Sequence, residues 1–450
     1  MNTLNKVNEK IGHYRWTICF LLFFATTINY MDRQVLSLLK GVLEVEFDWS
    51  ESDYSNIVIA FQLVYAISML FAGRFIDWLG TKKGYAWSLI IWSVAAILHG
   101  FSRGTAGFMG ARALLGFGES GNFPAAIKTT AEWFPKKERA FATGIFNSGS
   151  NVGAILAPLT VPWLAGKYGW QEAFFIVGAI GFSWLIFWFW LYDIPSRMLV
   201  KGRIKQSEYD FIHSDDAAAG IAATEDLKND HPVGKEKLPW VKLLGYRQTW
   251  AFVVGKFMTD GVWWFFLFWL PAYLKAQFGM EGTTVALPLA VLYSMTTVGS
   301  IGGGYFPAVF MKGGRNPYNA RMIAMLIIAL FPLMVLSAQY LGQSSFWYAV
   351  IVIGIGASAH QAWSANLFTT VSDMFPKKAV GSVIGIGGMA GGLGGILISK
   401  SAGLLFDHYK ALGHIQTGYT IMFVFCALAY VIAWFIMKSL VPRFKLIEDL

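Results

Sequence analysis

Apolar residues run along most of this chain in stretches of membrane-spanning length, cut by short polar turns. The first stretch, "WTICFLLFFATTI", flows into "NYMDRQ" and on to Leu39 as one helix. Crossing the hydrocarbon layer takes about 20 helical residues. On that measure the pattern predicts twelve spans in two sets of six. The first set lies near 14–40, 52–79, 83–102, 104–133, 139–166 and 171–192. The second lies near 247–276, 283–311, 318–341, 345–373, 379–406 and 416–438. Between them, "HSDDAAAGIAATEDLKNDHPVGKEK" is too polar for a third core and reads as a solvated linker. The expectation is an all-α polytopic membrane protein. An N-terminal bundle occupies 1–192, the linker 193–246 and a C-terminal bundle 247–450.

Composition strengthens this picture. Of 450 residues, 55% are hydrophobic and only 14% charged, where soluble proteins carry about a quarter charged. The net charge of +9 does not point to nucleic acid, because the bases sit in short loops where they set topology. Lys6, Lys10 and Arg15 precede span one; Lys82 and Lys83 follow span two; Lys136, Lys137 and Arg139 follow span four. Lys312, Arg315 and Arg321 follow span eight, Lys377 and Lys378 follow span ten, and Arg443 and Lys445 end the chain. The alternate loops are poor in bases, and the first, "EVEFDWSESD", is acidic. Both termini and the linker are therefore expected in the cytoplasm. The start lacks an apolar region ending in a small-residue cleavage site, so a retained first span is expected. Cys19 and Cys426 imply neither a disulfide framework nor a metal cluster, and no cofactor is expected.

The chain also repeats itself. "EWFPKKERAFATGIFNSGSNVGAIL" from Glu132 realigns 241 residues later on "DMFPKKAVGSVIGIGGMAGGLGGIL" from Asp373. Gly144–Ile145 returns as Gly385–Ile386, and Gly153 as Gly394, without a gap. Parallel repeats of this kind are typical of secondary transporters with a midplane substrate site.

Further motifs carry a resemblance. "GRFIDWLGTKK" after span two matches the loop signature Gly-x-x-x-Asp-x-x-Gly plus bases, here Gly73, Asp77, Gly80, Lys82 and Lys83. With six plus six spans, the chain resembles the major facilitator superfamily. "NYMDR", "GARALLGFGESGNFPA", "AEWFPKKERAFATGIFNSGSNVGA", "KFMTDGVWWFFLFWLPAYL" and "AHQAW" resemble its anion:cation symporter branch, within it bacterial hexuronate transporters. The second-half copy of the loop signature, "GGGYFPAVFMKGGR", lacks the aspartate. The resemblance implies a monomeric, proton-coupled symporter of the bacterial inner membrane that imports a sugar acid. Its expected partners are that small molecule, protons and the lipid bilayer.

Asp32 and Arg33 stand inside the first span, where charge is expensive. They are either a helix-end pair held by water and snorkelling or part of a buried site. Arg112 and Glu119 favour the second reading. Seven residues is close to two helical turns, so both share one face of span four; a purely structural interhelix pair is the alternative. A carboxyl group whose proton affinity depends on where an arginine points is a usable proton carrier. Arg33 offers a planar fork matched to a carboxylate. By resemblance, Asp32 and Glu119 serve proton coupling, while Arg33 and Arg112 serve anion binding. Glycines 116, 118 and 121 permit either close packing or backbone approach to a ligand.

Shifting Glu119 by the repeat of 241 lands on His360 in "SAHQAWSAN". The two are expected to face each other's bundles across a central cavity, with His360, Gln361 and Trp363 offered to a sugar ring. A satisfied structural histidine is the alternative. Tyr30, Tyr65, Ser150 and Asn151 are candidates for hydroxyl recognition or plain packing. Lys256 and Asp260, four apart, can pair along span seven. "WWFFLFW" after them reads as lipid-facing and bundle packing, and Asp77, Lys82 and Lys83 as a cytoplasmic gate latch.

Two other classes fit the residues less well. Organophosphate antiporters of the same superfamily match the span-one arginine with one in span seven, where this chain has Lys256 and Asp260. With acidic Asp32 and Glu119 alongside, symport with protons is favoured over exchange. A membrane enzyme finds no support: no Ser-His-Asp spacing, HExxH or metal cluster stands out. Within the organic anions, hexuronates lead and aldonates or aldarates remain open.

Overall fold

The structure, a computed structural model, describes residues 11–214, 240–375 and 377–447. Among them, long helices are the whole architecture and no strand occurs. Spans one to three are Tyr14–Phe47, Glu51–Leu79 and Thr81–Phe101. Span four divides into Thr105–Glu119 and Asn122–Trp133; spans five and six are Lys136–Tyr168 and Trp170–Leu191. Short helices follow at Pro195–Val200, Gln206–Ile212 and Trp240–Leu244. The second set is Arg247–Phe278, Ala286–Lys312, Pro317–Leu330 with its continuation, Phe346–Met374, Lys377–Ala411 and Ile415–Leu440.

Two expected spans are not continuous helices. Span four breaks at Ser120–Gly121. Pro124, four residues after Ser120, has no N–H to donate back and its ring crowds that carbonyl. Span nine passes into a 3-10 segment over Phe331–Ser337, which carries Pro332 at its start, before the short helix Ala338–Gly342. Eight of the spans are long and apolar enough to cross a membrane by composition alone. Spans one, four, five and ten fall short of that measure, and spans one and four carry the buried charges Asp32, Arg33, Arg112 and Glu119.

The helices form two six-helix bundles whose pairings repeat. Span one packs on span five, two on four and three on six; seven packs on eleven, eight on ten and nine on twelve. The repeated glycine has a shared cause. A methyl on Gly153 would land on the Thr27 carbonyl of span one, and on Gly394 it would land on the Phe257 carbonyl of span seven. Both positions need hydrogen in place of a side chain for the crossing to close.

Between the halves, spans two and eleven run side by side. Ser55 donates to the Ser399 carbonyl at 2.7 Å, and a methyl added to Gly388 would come into van der Waals contact with Met69. At the Phe47 end, span two begins with a capping box of Ser50 and Asp53. Asp407 of span eleven accepts from the Glu51 and Ser52 amides at 2.8 and 2.9 Å. A carboxylate over the first amides of a helix satisfies donors that the helix cannot, and suits its dipole. Lys410 joins this fastening through Glu44 and Glu51, as does buried Lys40. A cavity of about 940 Å³ opens beside these lysines, between the ends of spans one, five and seven.

Candidate functional site

Span one brings Tyr30, Asp32 and Arg33 to the junction of the halves. Arg33 Nε donates to Glu119 Oε2 at 2.5 Å, with both side chains enclosed. Four rings surround the Arg33 guanidinium: Tyr65 at 4.7 Å, Tyr30 at 4.8 Å, Phe61 at 5.4 Å and Trp264 at 5.6 Å from their centroids. Aromatic faces attract a cation within about 6 Å, so one carboxylate and four rings hold this arginine. Three rings come from the first half and Trp264 from the second.

Arg112 lies two turns before Glu119 on span four, and both reach span one, as their spacing implies. Arg112 Nη2 donates to the Arg33 carbonyl at 3.0 Å. Its Nε and Nη1, both Asp32 oxygens and Glu119 Oε1 are buried without a hydrogen-bond partner among the described residues. No Asp32–Arg112 hydrogen bond is formed. Arg112 is turned instead by the span-one backbone, one residue further on. Unpaired buried groups of both signs beside one another leave unmet hydrogen-bonding capacity at the centre of the molecule.

Glycines 116, 118 and 121 are packing positions. Methyls there would strike the Phe61 carbonyl of span two, the Trp92 backbone of span three and the Ser88 hydroxyl of span three. Span four is drawn tight against its neighbours, which presents Glu119 to span one.

The second half is furnished differently. His360 Nδ1 lies 2.9 Å from the Tyr430 hydroxyl, and its ring stacks on Trp263 at 5.3 Å and 8°. Trp363 is fully buried against Tyr430, its indole N–H without a partner; Gln361 is half-buried. His360 thus engages spans seven and twelve of its own bundle, while Glu119 engages span one. The repeat register gives equivalent places in two bundles and does not bring the two side chains together. Ser150 donates to the Asn147 carbonyl of its own helix, and Asn151 accepts from Thr296 across the halves at 3.4 Å. Lys256 and Asp260 pair at 2.5 Å.

"WWFFLFW" is not lipid-facing. Every residue from Trp263 to Trp269 is buried, because span seven is flanked by spans one, ten, eleven and twelve. Trp263 and Trp264 thereby join the site, together with Phe61 and Tyr430, none of which sequence reasoning placed there. Gln62, buried with both amide atoms unpartnered, was also missed; a lone amide in an apolar helix was the available signal.

Of the gate residues, the Asp77 side chain lies outside the described residues. Lys82 is 3.5 Å from Asp193, which Lys201 also meets at 2.7 Å; Lys83 is exposed. Burial works against the Asp193 charge, but Lys201, the Ile194 amide and Lys82 outweigh it and hold that carboxyl below its usual range.

The model of the Major Facilitator Superfamily matches residues 22–399. The chain belongs to that superfamily. This major facilitator is 29% identical over 433 residues to the hexuronate transporter of Escherichia coli (strain K12), covering 96% of each chain. It is 28% identical over 407 residues to the D-galactonate transporter of another Escherichia coli strain, covering 89% of this chain and 91% of that one. Among solved structures, a bacterial homologue of the human lysosomal transporter Spinster, inward-facing and occupied, superposes with a TM-score of 0.71. At 16% identity, over 98% of this chain and 100% of that one, this likeness concerns the fold.

Proposed function

We propose that this major facilitator is a proton-coupled symporter that imports a sugar acid, a hexuronate such as galacturonate or glucuronate. It is a multi-pass membrane transporter and not an enzyme. The observation that carries the proposal is the enclosed Arg33–Glu119 pair beside unpaired Asp32 and Arg112. Glu119 engages the Arg33 guanidinium through Nε. Protonating Glu119 weakens that hold, and a substrate carboxylate can then take the fork bidentately. Substrate and proton thus favour each other's binding, which is the requirement of symport. Tyr30 and Tyr65 flank the guanidinium and can donate to the sugar hydroxyls. Arg112, Asn151, His360, Gln361 and Trp363 offer further polar or apolar contact as the halves rock about the bound anion.

The similarity to the hexuronate transporter supports this substrate class; the similarity to the D-galactonate transporter keeps an aldonate as the second reading. The base-rich loops support an inner-membrane orientation with both termini in the cytoplasm, and the proposed working unit is the monomer. Purified protein in liposomes, given an imposed pH gradient and labelled galacturonate, gluconate or glucose, tests the proposal. Gradient-driven uptake of galacturonate but not glucose is expected. Uptake of glucose alone, or galacturonate accumulation indifferent to the gradient, overturns it.

A further inference from the structure

Lys256 and Asp260 stand in mid-helix on span seven, and the proton and carboxylate handling above makes no use of them. Lys256 Nζ lies 2.5 Å from Asp260 Oδ2 and 4.5 Å from the Phe368 ring centroid. The two are unequally enclosed: 8% of the lysine side chain is exposed against 17% of the aspartate. Gly391 of span eleven makes room for this carboxylate, since a methyl there would land on Asp260 Oδ2. Four residues on, Gly395 lies likewise against the ring of Trp264, which contacts Arg33 at 5.6 Å. Asp260 and Trp264 are neighbours on one helix face, about 5.4 Å apart along the axis. Asp260 therefore stands about one helical turn from the ring that touches Arg33. This carboxylate lies on the same helix face as the ring that meets Arg33, against Gly391 of span eleven.

We propose that Asp260 determines specificity by reading the charge at the end of the substrate remote from Arg33. A six-carbon sugar acid whose carboxylate sits on Arg33, against the Trp264 ring, can extend its other end along the span-seven face that carries Asp260 one turn away. Hydroxyls arriving there donate to Asp260 and accept from Lys256. A second carboxylate meets a fixed negative charge whose lysine is already engaged, and is rejected. Rejection through a like charge discriminates more sharply than added attraction can. The site thus selects sugar monocarboxylates over dicarboxylates of equal length. This rests on the sugar-acid reading above.

The test is galacturonate uptake in proteoliposomes, competed by galactarate. The wild type is expected to prefer the monocarboxylate by about tenfold or more. Asp260→Asn, which frees Lys256, is expected to narrow that preference by about tenfold, while Asp260→Glu keeps it. If Asp260→Asn alone is not recovered, the neutral pair Lys256→Gln with Asp260→Asn reads the same ratio without an uncompensated buried charge. An unchanged ratio in a variant lacking the Asp260 charge, or equal competition by the two acids in the wild type, overturns the inference. Absence of any sugar-acid uptake by the wild type instead overturns the reading on which it rests.

Discussion

Span four turns Arg112 and Glu119 against span one, whereas span ten, its counterpart six spans later, turns His360 against Trp263 of span seven. The helix pairings are the same and the chemistry is not. The first half gathers Asp32, Arg33, Arg112 and Glu119, with several of their polar atoms unpaired. The second half answers with a stacked imidazole, a tyrosine hydroxyl and an indole, and keeps Lys256 and Asp260 matched along a single helix. Ion handling and shape recognition can thus be divided between symmetric scaffolds.

That division can be broken most sharply at Glu119. Glu119→Gln mimics the protonated acid and cannot release a proton, so pH-driven accumulation is expected to vanish while counterflow exchange persists. Full accumulation by this variant would assign coupling elsewhere. Arg33→Ala comes next: losing a buried charged partner costs about 2–5 kcal/mol, roughly 30-fold to several thousand-fold in affinity. Arg33→Lys keeps the charge without the fork and is expected to lose about tenfold. Calorimetric titration with galacturonate reads both, and wild-type affinity in the pair removes Arg33 as the carboxylate site.

Asp32 tests whether the first half carries more than one proton. One proton with a monovalent anion is electroneutral, whereas two bring in one net charge, worth about 2.3 kcal/mol per 100 mV. Uptake stimulated by an inside-negative potential is expected, with the stimulation lost in Asp32→Asn. Voltage-independent uptake together with full coupling in that variant would leave Asp32 a structural residue. The smallest effect belongs to the second half. His360→Phe keeps the stack on Trp263 and loses the bond to Tyr430, about 0.5–1.5 kcal/mol, or roughly two- to tenfold in affinity. Its pH-gradient dependence is expected to match the wild type; a changed dependence would place proton handling in both halves.

The spans were legible because apolar runs of this length have few other uses, and the repeat was legible because both halves need a glycine at one crossing. Discontinuities were less so. Pro124 was in view, yet an apolar run with a proline can kink or break, and packing decides which. Within the site, the seven-residue spacing of Arg112 and Glu119 correctly gave them a common face. Which group each would meet depended on rotations between helices that no single helix encodes. Hence the expectation sets Glu119 opposite His360, where the structure pairs it with Arg33. "WWFFLFW" carries no period that distinguishes lipid from neighbour, because span seven is covered on every side. Ser150 illustrates a local competitor: a helical hydroxyl can satisfy itself three residues back, as it does on Asn147.

Asp407 ties the two halves together through amides rather than side chains, and this makes the contact readable from outside. The Glu51 and Ser52 N–H groups lie at a helix start, where no intrahelical acceptor exists. Only a carboxylate from the other half covers them. When the halves part at this end, water takes its place and both amides become free to exchange hydrogen for deuterium. Their exchange rate is thus a clock for how often the Phe47 end opens, and sugar acid that holds this end shut would slow it without any label on the protein.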